Sequence, residues 1–399
     1  MSWTRTTLGS HVDVVSGPAF KSELFTDDPN DVPLVKGENI GQGEVLWDKS
    51  KYWPRQEADR FAKYRLTAGD VVVAMDRPWV TAGLKFARIT DRDPESLLVQ
   101  RVARLRGTNG LAPQLVKHII ASPDFTAYVK NIMGGTNVPH ISGDQIRAFA
   151  FTLPPRPQQE AIASILTAYD DLIENNTRRI KLLEDAARLL YEEWFVRLRF
   201  PGHEHTPVRD GVPEGWSRRS FSSLAEFLNG FAFKPIHLGD TGFPIVKIPE
   251  LRSGPLAKTP RTDAGVVPAQ YRLDTGDMLF SWSGTLLVNI WSWGPALLNQ
   301  HLFKVTPHTP IHRSLVYLGL LHALEVFHNQ TTGATMKHIR RGALDAICTL
   351  VPSDVLAREF ESLVGPMLSQ RTTLRRLSAA AAAARDLLLP RLMSGEVAV

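Results

Sequence analysis

The sequence predicts an α+β protein: two α/β domains separated by two long antiparallel coiled-coil helices, the halves related by a pseudo-twofold internal repeat. Three observations carry this expectation. Short blocks recur in the same order along the two halves of the 399 residues. Each half closes with a run of about 40 residues whose apolar positions fall at heptad spacing. Between the blocks the apolar pattern is mostly that of strands, as in Val71-Val72-Val73-Ala74 and Met278-Leu279-Phe280. The expected boundaries are 1–152 for the first domain, 153–200 for the central helix, 201–350 for the second domain with its linker 201–213, and 351–399 for the last helix.

The repeat is read residue by residue. Pro33-Leu34-Val35-Lys36 returns as Pro244-Ile245-Val246-Lys247. Tyr64-Arg65-Leu66 with Gly69-Asp70 returns as Tyr271-Arg272-Leu273 with Gly276-Asp277. Gly135-Thr136 ahead of His140-Ile141 answers Gly333-Ala334-Thr335 ahead of His338-Ile339, and Leu153-Pro154 answers Leu350-Val351-Pro352. The offset between matches drifts slowly, as surface-loop insertions produce. One helical segment is expected inside each domain, near 113–133 and 311–330.

After Pro157, a natural first-turn residue, the helical seam runs through Leu166, Tyr169, Ile173, Asn176, Ile180 and Leu183. The second run, capped by Ser353, has its seam at Leu363, Met367, Gln370, Leu374 and Leu377. Two readings of Asn176 and Gln370 stay open. They are register-setting polar residues inside the seam, or they face solvent and the register is displaced by one residue. A helix of about 40 residues is roughly 60 Å long and cannot bury its stripe alone. Antiparallel pairing of the two is the simplest solution. It sets two equivalent faces at a fixed spacing, which suits a ligand that itself repeats, and duplex DNA is the obvious candidate.

Composition bounds the rest. Hydrophobic residues make up 43%, which excludes a disordered chain, and a net charge of +5 permits nucleic-acid binding without requiring it. The single cysteine, Cys348, excludes an internal disulfide framework. Met1-Ser2-Trp3-Thr4-Arg5 shows no signal peptide, and no apolar stretch is long enough for a membrane span, so a cytoplasmic protein without a membrane partner is expected.

The segment Leu153-Pro154-Pro155-Arg156-Pro157-Gln158-Gln159-Glu160-Ala161-Ile162, followed by Asp170-Asp171-Leu172-Ile173-Glu174-Asn175-Asn176, resembles the central conserved region of type I restriction-modification specificity subunits. Glu193-Trp194-Phe195-Val196 and the end, Leu389-Pro390-Arg391-Leu392-Met393-Ser394-Gly395-Glu396, fit the same pattern. Two departures stand out: the order Pro157-Gln158-Gln159-Glu160, and the weaker second region at Val351-Pro352-Ser353-Asp354. The resemblance implies two target-recognition domains reading a bipartite duplex, one half-site each. It also implies that the chain is not an enzyme and has no cofactor of its own. S-adenosylmethionine, ATP and Mg would belong to two methyltransferase subunits and to restriction/translocase subunits in the same complex.

Missing motifs agree with this. No Gly-x-x-x-x-Gly-Lys-Ser/Thr run is present for a nucleotide, no Asn/Asp-Pro-Pro-aromatic tetrapeptide for amino methylation, and no Cys/His spacing for zinc. His203 and His205 flank Glu204 in the linker and read as a solvated loop.

Candidate DNA contacts lie where the repeats agree and the chain turns. Lys36 with Asn39, and Lys247 with Glu250, follow a strand in each half; a carboxylate can accept from a cytosine amino group. Arg77 in the first half and Ser283 with Thr285 in the second follow the central strand. Thr136, Asn137 and His140, and Thr335, Lys337 and His338, form the third group, in which a Gly-Thr turn can hold a phosphate. Lys85, Arg88, Arg101, Arg104 and Arg106 read as a solvated strand face. The alternative to DNA is a structural adaptor whose duplicated domains bind protein on a coiled-coil spacer.

Overall fold

The computed structural model describes residues 3–80, 83–108, 110–133, 139–256, 258–329, 338–339 and 341–399. The chain divides into two compact units. One comprises Met1–Asp171 with Ala381–Val399, the other Leu172–Ala380.

In the first unit, a five-stranded sheet runs in the order Val12–Ser16, Val102–Gly107, Val71–Ala74, Phe86–Arg88, Gln42–Gly43. Only the last pair is parallel. Val71–Ala74 is buried at every position because both faces of the sheet are covered. Its side chains alternate as a strand requires. Val71 and Val73 enter a core with Leu115, Ile119 and Phe125, while Val72 and Ala74 enter another with Val35, Ile40 and Leu98. A four-stranded sheet, Tyr52–Trp53, Val32–Val35, Ser96–Leu98, Arg65–Leu66, has one parallel pair at its centre.

The second unit has a four-stranded antiparallel sheet, Ala225–Asn229, Leu302–Pro307, Met278–Ser281, Leu287–Ile290. Its mixed sheet runs Arg261–Thr262, Phe243–Val246, Ala296–Leu298, Arg272–Leu273, again with a parallel central pair. Met278 and Phe280 point to one core and Leu279 to the other. In each unit a two-stranded ladder sits just ahead of a long helix. Thr4–Thr7 pairs with Ala150–Leu153, and Ser217–Ser220 with Cys348–Val351.

The helical segments expected inside the domains are each two helices. Pro113–Ala121 and Pro123–Met133 break at Ser122, because a residue preceding proline avoids helical backbone. Arg313–His322 and Leu324–Asn329 break at Ala323.

The long helices are Arg156–Tyr191, prolonged by a π turn at Glu192–Val196, and Asp354–Met393. They pack together. In the second unit Glu184 meets Arg371, and Phe195 meets Phe360 at a ring-centroid distance of 4.8 Å. One index advances by eleven residues as the other retreats by eleven, so the helices run antiparallel there. In the first unit Asp170 accepts from Arg385 at 2.6 Å, and Ile162 and Leu166 share a core with Leu389 and Leu392.

On the first helix Leu166 and Asn176 are buried, and Tyr169, Ile173, Ile180 and Leu183 are half-buried. The seam expected on the second helix is corrected. Leu374 is buried and Met367 half-buried, but Leu363 is 43% exposed, Leu377 51% exposed, and Gln370 lies on the surface. Along one stripe after Phe360 the buried positions are Val364, Leu368, Arg371 and Leu374, with Thr372 buried beside Arg371. The stripe steps four, four, three, three where strict three–four alternation was expected. Leu363-Val364 and Met367-Leu368 are adjacent apolar pairs, so periodicity could not choose between them. Packing of Phe360 and Val364 beside Tyr191, Trp194 and Phe195 makes the choice.

Candidate nucleic-acid interface

In the first unit four chain segments are tied side by side at the end of the five-stranded sheet. Gly17 donates its N–H to the Val102 carbonyl at 3.0 Å, and Gln100 donates to Pro18 at 2.8 Å. Met75 donates to Arg101 at 2.8 Å, Ile141 to Met75 at 2.9 Å, and Arg77 to Pro139 at 2.7 Å. A Cβ at Gly17 would lie 2.2 Å from the Val99 carbonyl oxygen, so only glycine allows the first segment to lie this close.

The second unit ties four segments in the same way. Gly230 donates to Leu302 at 3.0 Å, Gln300 to Phe231 at 3.0 Å, Trp282 to His301 at 3.3 Å, and Ile339 to Trp282 at 2.9 Å. A Cβ at Gly230 would again lie 2.2 Å from a carbonyl oxygen, that of Asn299.

These bonds define which positions correspond. Several carry the same residue: Gly17 and Gly230, Lys21 and Lys234, Gln100 and Gln300, His140 and His338. Others differ: Asp76 against Ser283, Arg77 against Gly284, Arg101 against His301. Gly284 adopts a φ of +66°, and Arg77 holds the corresponding left-handed backbone at +44° without glycine's freedom. Lys21 and Lys234 are both exposed, and each stands immediately before a short 3₁₀ turn, Ser22–Leu24 and Pro235–His237.

The sequence reading missed this turn. Gly17-Pro18-Ala19-Phe20-Lys21 and Gly230-Phe231-Ala232-Phe233-Lys234 share four of five residues, and that identity was its visible signal.

Charge and hydrogen bonding organise each face. In the first unit Asp76 Oδ1 lies 2.6 Å from His140 Nδ1, and Asp76 Oδ2 accepts from Arg101 Nη1 at 2.8 Å. The Lys130 ammonium sits 3.8 Å from the centre of the Trp79 ring, which makes that tryptophan a cation-binding wall. Burial pushes the Lys85 ammonium below the ordinary lysine range. The Glu38 carboxylate opposes that shift, and the neighbouring positive charge of Arg77 adds to it. In the second unit the Ser283 hydroxyl meets His301 Nδ1 at 3.0 Å. The Trp282 ring lies 6.0 Å from the His301 ring and 5.6 Å from that of His338, and its Nε1 donates to Asn229 Oδ1 and to the Gln300 carbonyl.

Of the residues expected to touch DNA, Arg77 and Thr285 are exposed, His140 is exposed, and His338 is half-buried. Ser283 is buried, its hydroxyl bonded to His301. Thr136, Asn137, Thr335 and Lys337 lie outside the described residues.

Asn39 and Glu250 are corrected. Asn39 is fully buried; its Oδ1 accepts from the Lys36 N–H at 2.7 Å, and its Nδ2 donates to the Leu34 carbonyl and the Ser50 hydroxyl. Glu250 is buried, accepting from the Lys247 N–H at 3.1 Å and the Thr259 hydroxyl at 3.0 Å. Both side chains are buried and tied into a turn, so neither is exposed to meet a base. Lys36 and Lys247 remain half-buried beside them, Lys36 paired with Glu38. Arg104 is buried against Asp13 at 2.6 Å and so does not lie on a solvated face, whereas Arg106 is exposed and held on Asp70. Among the described residues no group of His, Cys, Asp and Glu is placed to hold a metal ion.

Residues 2–185 match the family described as the type I restriction modification DNA specificity domain. The match covers a little under half of the 399 residues. It is 27% identical over 187 residues to the type I restriction enzyme MjaVIII specificity subunit of Methanocaldococcus jannaschii, covering 47% of this chain and 44% of that one. It is 22% identical over 304 residues to the MjaIX specificity subunit of the same organism, covering 73% and 70%. To the EcoAI specificity subunit of Escherichia coli it is 33% identical over 174 residues, covering 43% and 28%. The chain therefore matches less than half the length of the first of these relatives. The crystal structure of the S subunit of a type I restriction-modification system from M. genitalium shares its fold, with a TM-score of 0.60 at 15% identity over 98% of this chain and 96% of that one. No helix among the described residues is long and apolar enough to cross a membrane.

Proposed function

We propose that this chain chooses the DNA target of a type I restriction-modification complex. Residues 1–152 and 201–350 are its two target-recognition domains, each reading one half of a bipartite duplex site. The single observation that carries the reading is the four-segment face, tied by corresponding backbone bonds in both units and bearing a lysine at the same place in each. A pseudo-twofold internal repeat of this kind matches a duplex that offers two half-sites, and the paired helices serve as the ruler between them.

Lys21, Lys234, Lys36 and Lys247 supply phosphate contacts, which position the protein without reading sequence. Arg77, His140, Thr285 and His338 read base edges, and Thr136, Asn137, Thr335 and Lys337, a few positions away in sequence, contribute to the same contacts. The chain carries out no chemistry. Two methyltransferase subunits and the restriction/translocase subunits bring S-adenosylmethionine, ATP and Mg, and they dock on the long helices, where Leu182 and Leu387 are 62% and 72% exposed. The complex works in the cytoplasm.

The test is a gel shift with the chain purified together with its methyltransferase partner. The complex binds one bipartite duplex in a steeply salt-dependent way. Binding indifferent to DNA sequence at every salt concentration would instead favour a protein-binding adaptor.

A further inference from the structure

Each four-segment face contains one pair of side chains that corresponds in position but not in identity. In the first unit the residue after Gln100 is Arg101, whose guanidinium is held by Asp76 at 2.8 Å. In the second the residue after Gln300 is His301, whose Nδ1 is held by Ser283 at 3.0 Å. Met75 bonds to the carbonyl of Arg101 as Trp282 bonds to that of His301, so the backbone frame beneath the two pairs is the same.

The chain thus contains its own comparison. Where two equivalent frames keep a residue, that residue serves what both domains share; where they exchange one, the exchange can carry a difference between half-sites. Here two positions in contact are exchanged together, Asp with Arg and Ser with His. Their chemistry differs as reading heads differ. Arg101 offers only donors in a planar fork, suited to a base edge with two acceptors such as that of guanine. His301, with Nδ1 occupied by Ser283, presents a single ring nitrogen, Nε2. Arg101 is exposed and stands on a left-handed backbone, φ +64°, at the tip of its turn. His301 is half-buried beside the Trp282 ring.

From this we infer that the pairs Asp76–Arg101 and Ser283–His301 determine specificity, one for each half-site, with Arg101 and His301 touching the bases and Asp76 and Ser283 aiming them. The inference rests on the proposed DNA-reading function and goes further by naming the reading residues.

The experiment grafts the second pair onto the first frame. The complex with its methyltransferase subunits is prepared as wild type, as the double variant Asp76→Ser/Arg101→His, and as Arg101→Lys, which keeps the charge but loses the fork. Each is selected against duplexes randomised in one half-site at a time. The expected result for both variants is about tenfold or more loss of preference at the bases of one half-site. The other half-site stays unchanged, and non-specific binding stays within about twofold. The double variant uses a pair the chain already accommodates on an equivalent frame, and Arg101→Lys provides the same readout with minimal change of shape. Retention of the original preference by both variants, with the wild type selective, overturns the inference alone. A wild-type complex that selects no bipartite duplex overturns the proposed function and the inference with it.

Discussion

Arg371 of the second long helix and Glu184 of the first form an ion pair at 2.5 Å, with the arginine only 1% exposed. Around them the network is dense. Arg371 also donates to the Asn289 side chain and lies 5.8 Å from the centre of the Tyr317 ring, and Arg375 donates to both Glu184 and Asn289. Asn289 stands on the strand Leu287–Ile290, so one buried arginine joins two helices to a sheet.

Replacing Arg371 by Ala strips Glu184 and Asn289 of a donor inside the protein. Breaking one partner of a buried pair costs about 3 kcal/mol or more. Because Arg375 keeps hold of Glu184, the expected loss is near the lower end, about 3 kcal/mol, read from urea unfolding. A double-mutant cycle with Glu184→Gln should return a coupling of at least about 1 kcal/mol. A coupling near zero would mean that the arginine is held by packing alone.

The first unit carries a titrating cluster of a different kind. Burial holds the His118 imidazole down to about 4, against the pull of the Asp170 carboxylate 3.9 Å away. Its ordinary value is near 6.5, so between pH 6.5 and pH 4 the unfolded chain takes up a proton that the folded one refuses. Stability is therefore full above pH 6.5 and falls as the pH drops toward 4, by about 3 kcal/mol across the window. Asp170 does not contribute there. Although its burial works the other way, Lys117 and Arg385 hold its carboxyl below the usual 3.8. Denaturant midpoints measured from pH 7.5 to pH 4 should slope downward in the native chain and less so in His118→Gln. Equal slopes in both would place the acid sensitivity elsewhere.

How much of this was readable before folding depends on the range of the determining contact. Strands such as Val71–Ala74 were legible because burial on both faces writes itself as an unbroken apolar run. The helices were legible because a heptad stripe needs no knowledge of the partner, but their register was not. Leu363 and Val364 are equally apolar, and only Trp194, Phe195 and Phe360 decide which turns inward. The sequence set Asn39 against Glu250 as base contacts, and the fold buries both. Sequence gives their three-residue spacing from Lys36 and Lys247, whereas the hydrogen bonds that turn them inward come from the fold. Arg101 looked like a strand residue because nothing local marks the turn that pairs it with Asp76, twenty-five residues earlier.

Lys21 and Lys234 give a prediction that separates positioning from reading. In the proposed role of phosphate contacts they would hold every duplex alike. Each substitution by Ala should weaken specific and non-specific binding by the same factor and reduce the slope of log affinity against log salt by about one. Fluorescence anisotropy at several salt concentrations measures both. A loss confined to the specific target would reassign these lysines to base recognition.

The ruler gives the last prediction. Glu184 faces Arg371 on one side of Asn176 and Asp170 faces Arg385 on the other, in antiparallel register, so seven residues inserted into one helix alone would break one of the two pairs. Seven residues inserted after Asn176 and seven after Ser378 keep the heptad phase and leave the partners on either side of each insertion intact. Each helix lengthens by about 10 Å, which corresponds to at most about three base pairs at 3.4 Å per step. Mapping of methylated adenines in cells carrying the lengthened chain and its partner subunits should show both half-sites unchanged and a longer gap between them. A gap of the original length would remove the helices from the determination of spacing, and altered half-sites would mean that the helices also orient the reading faces.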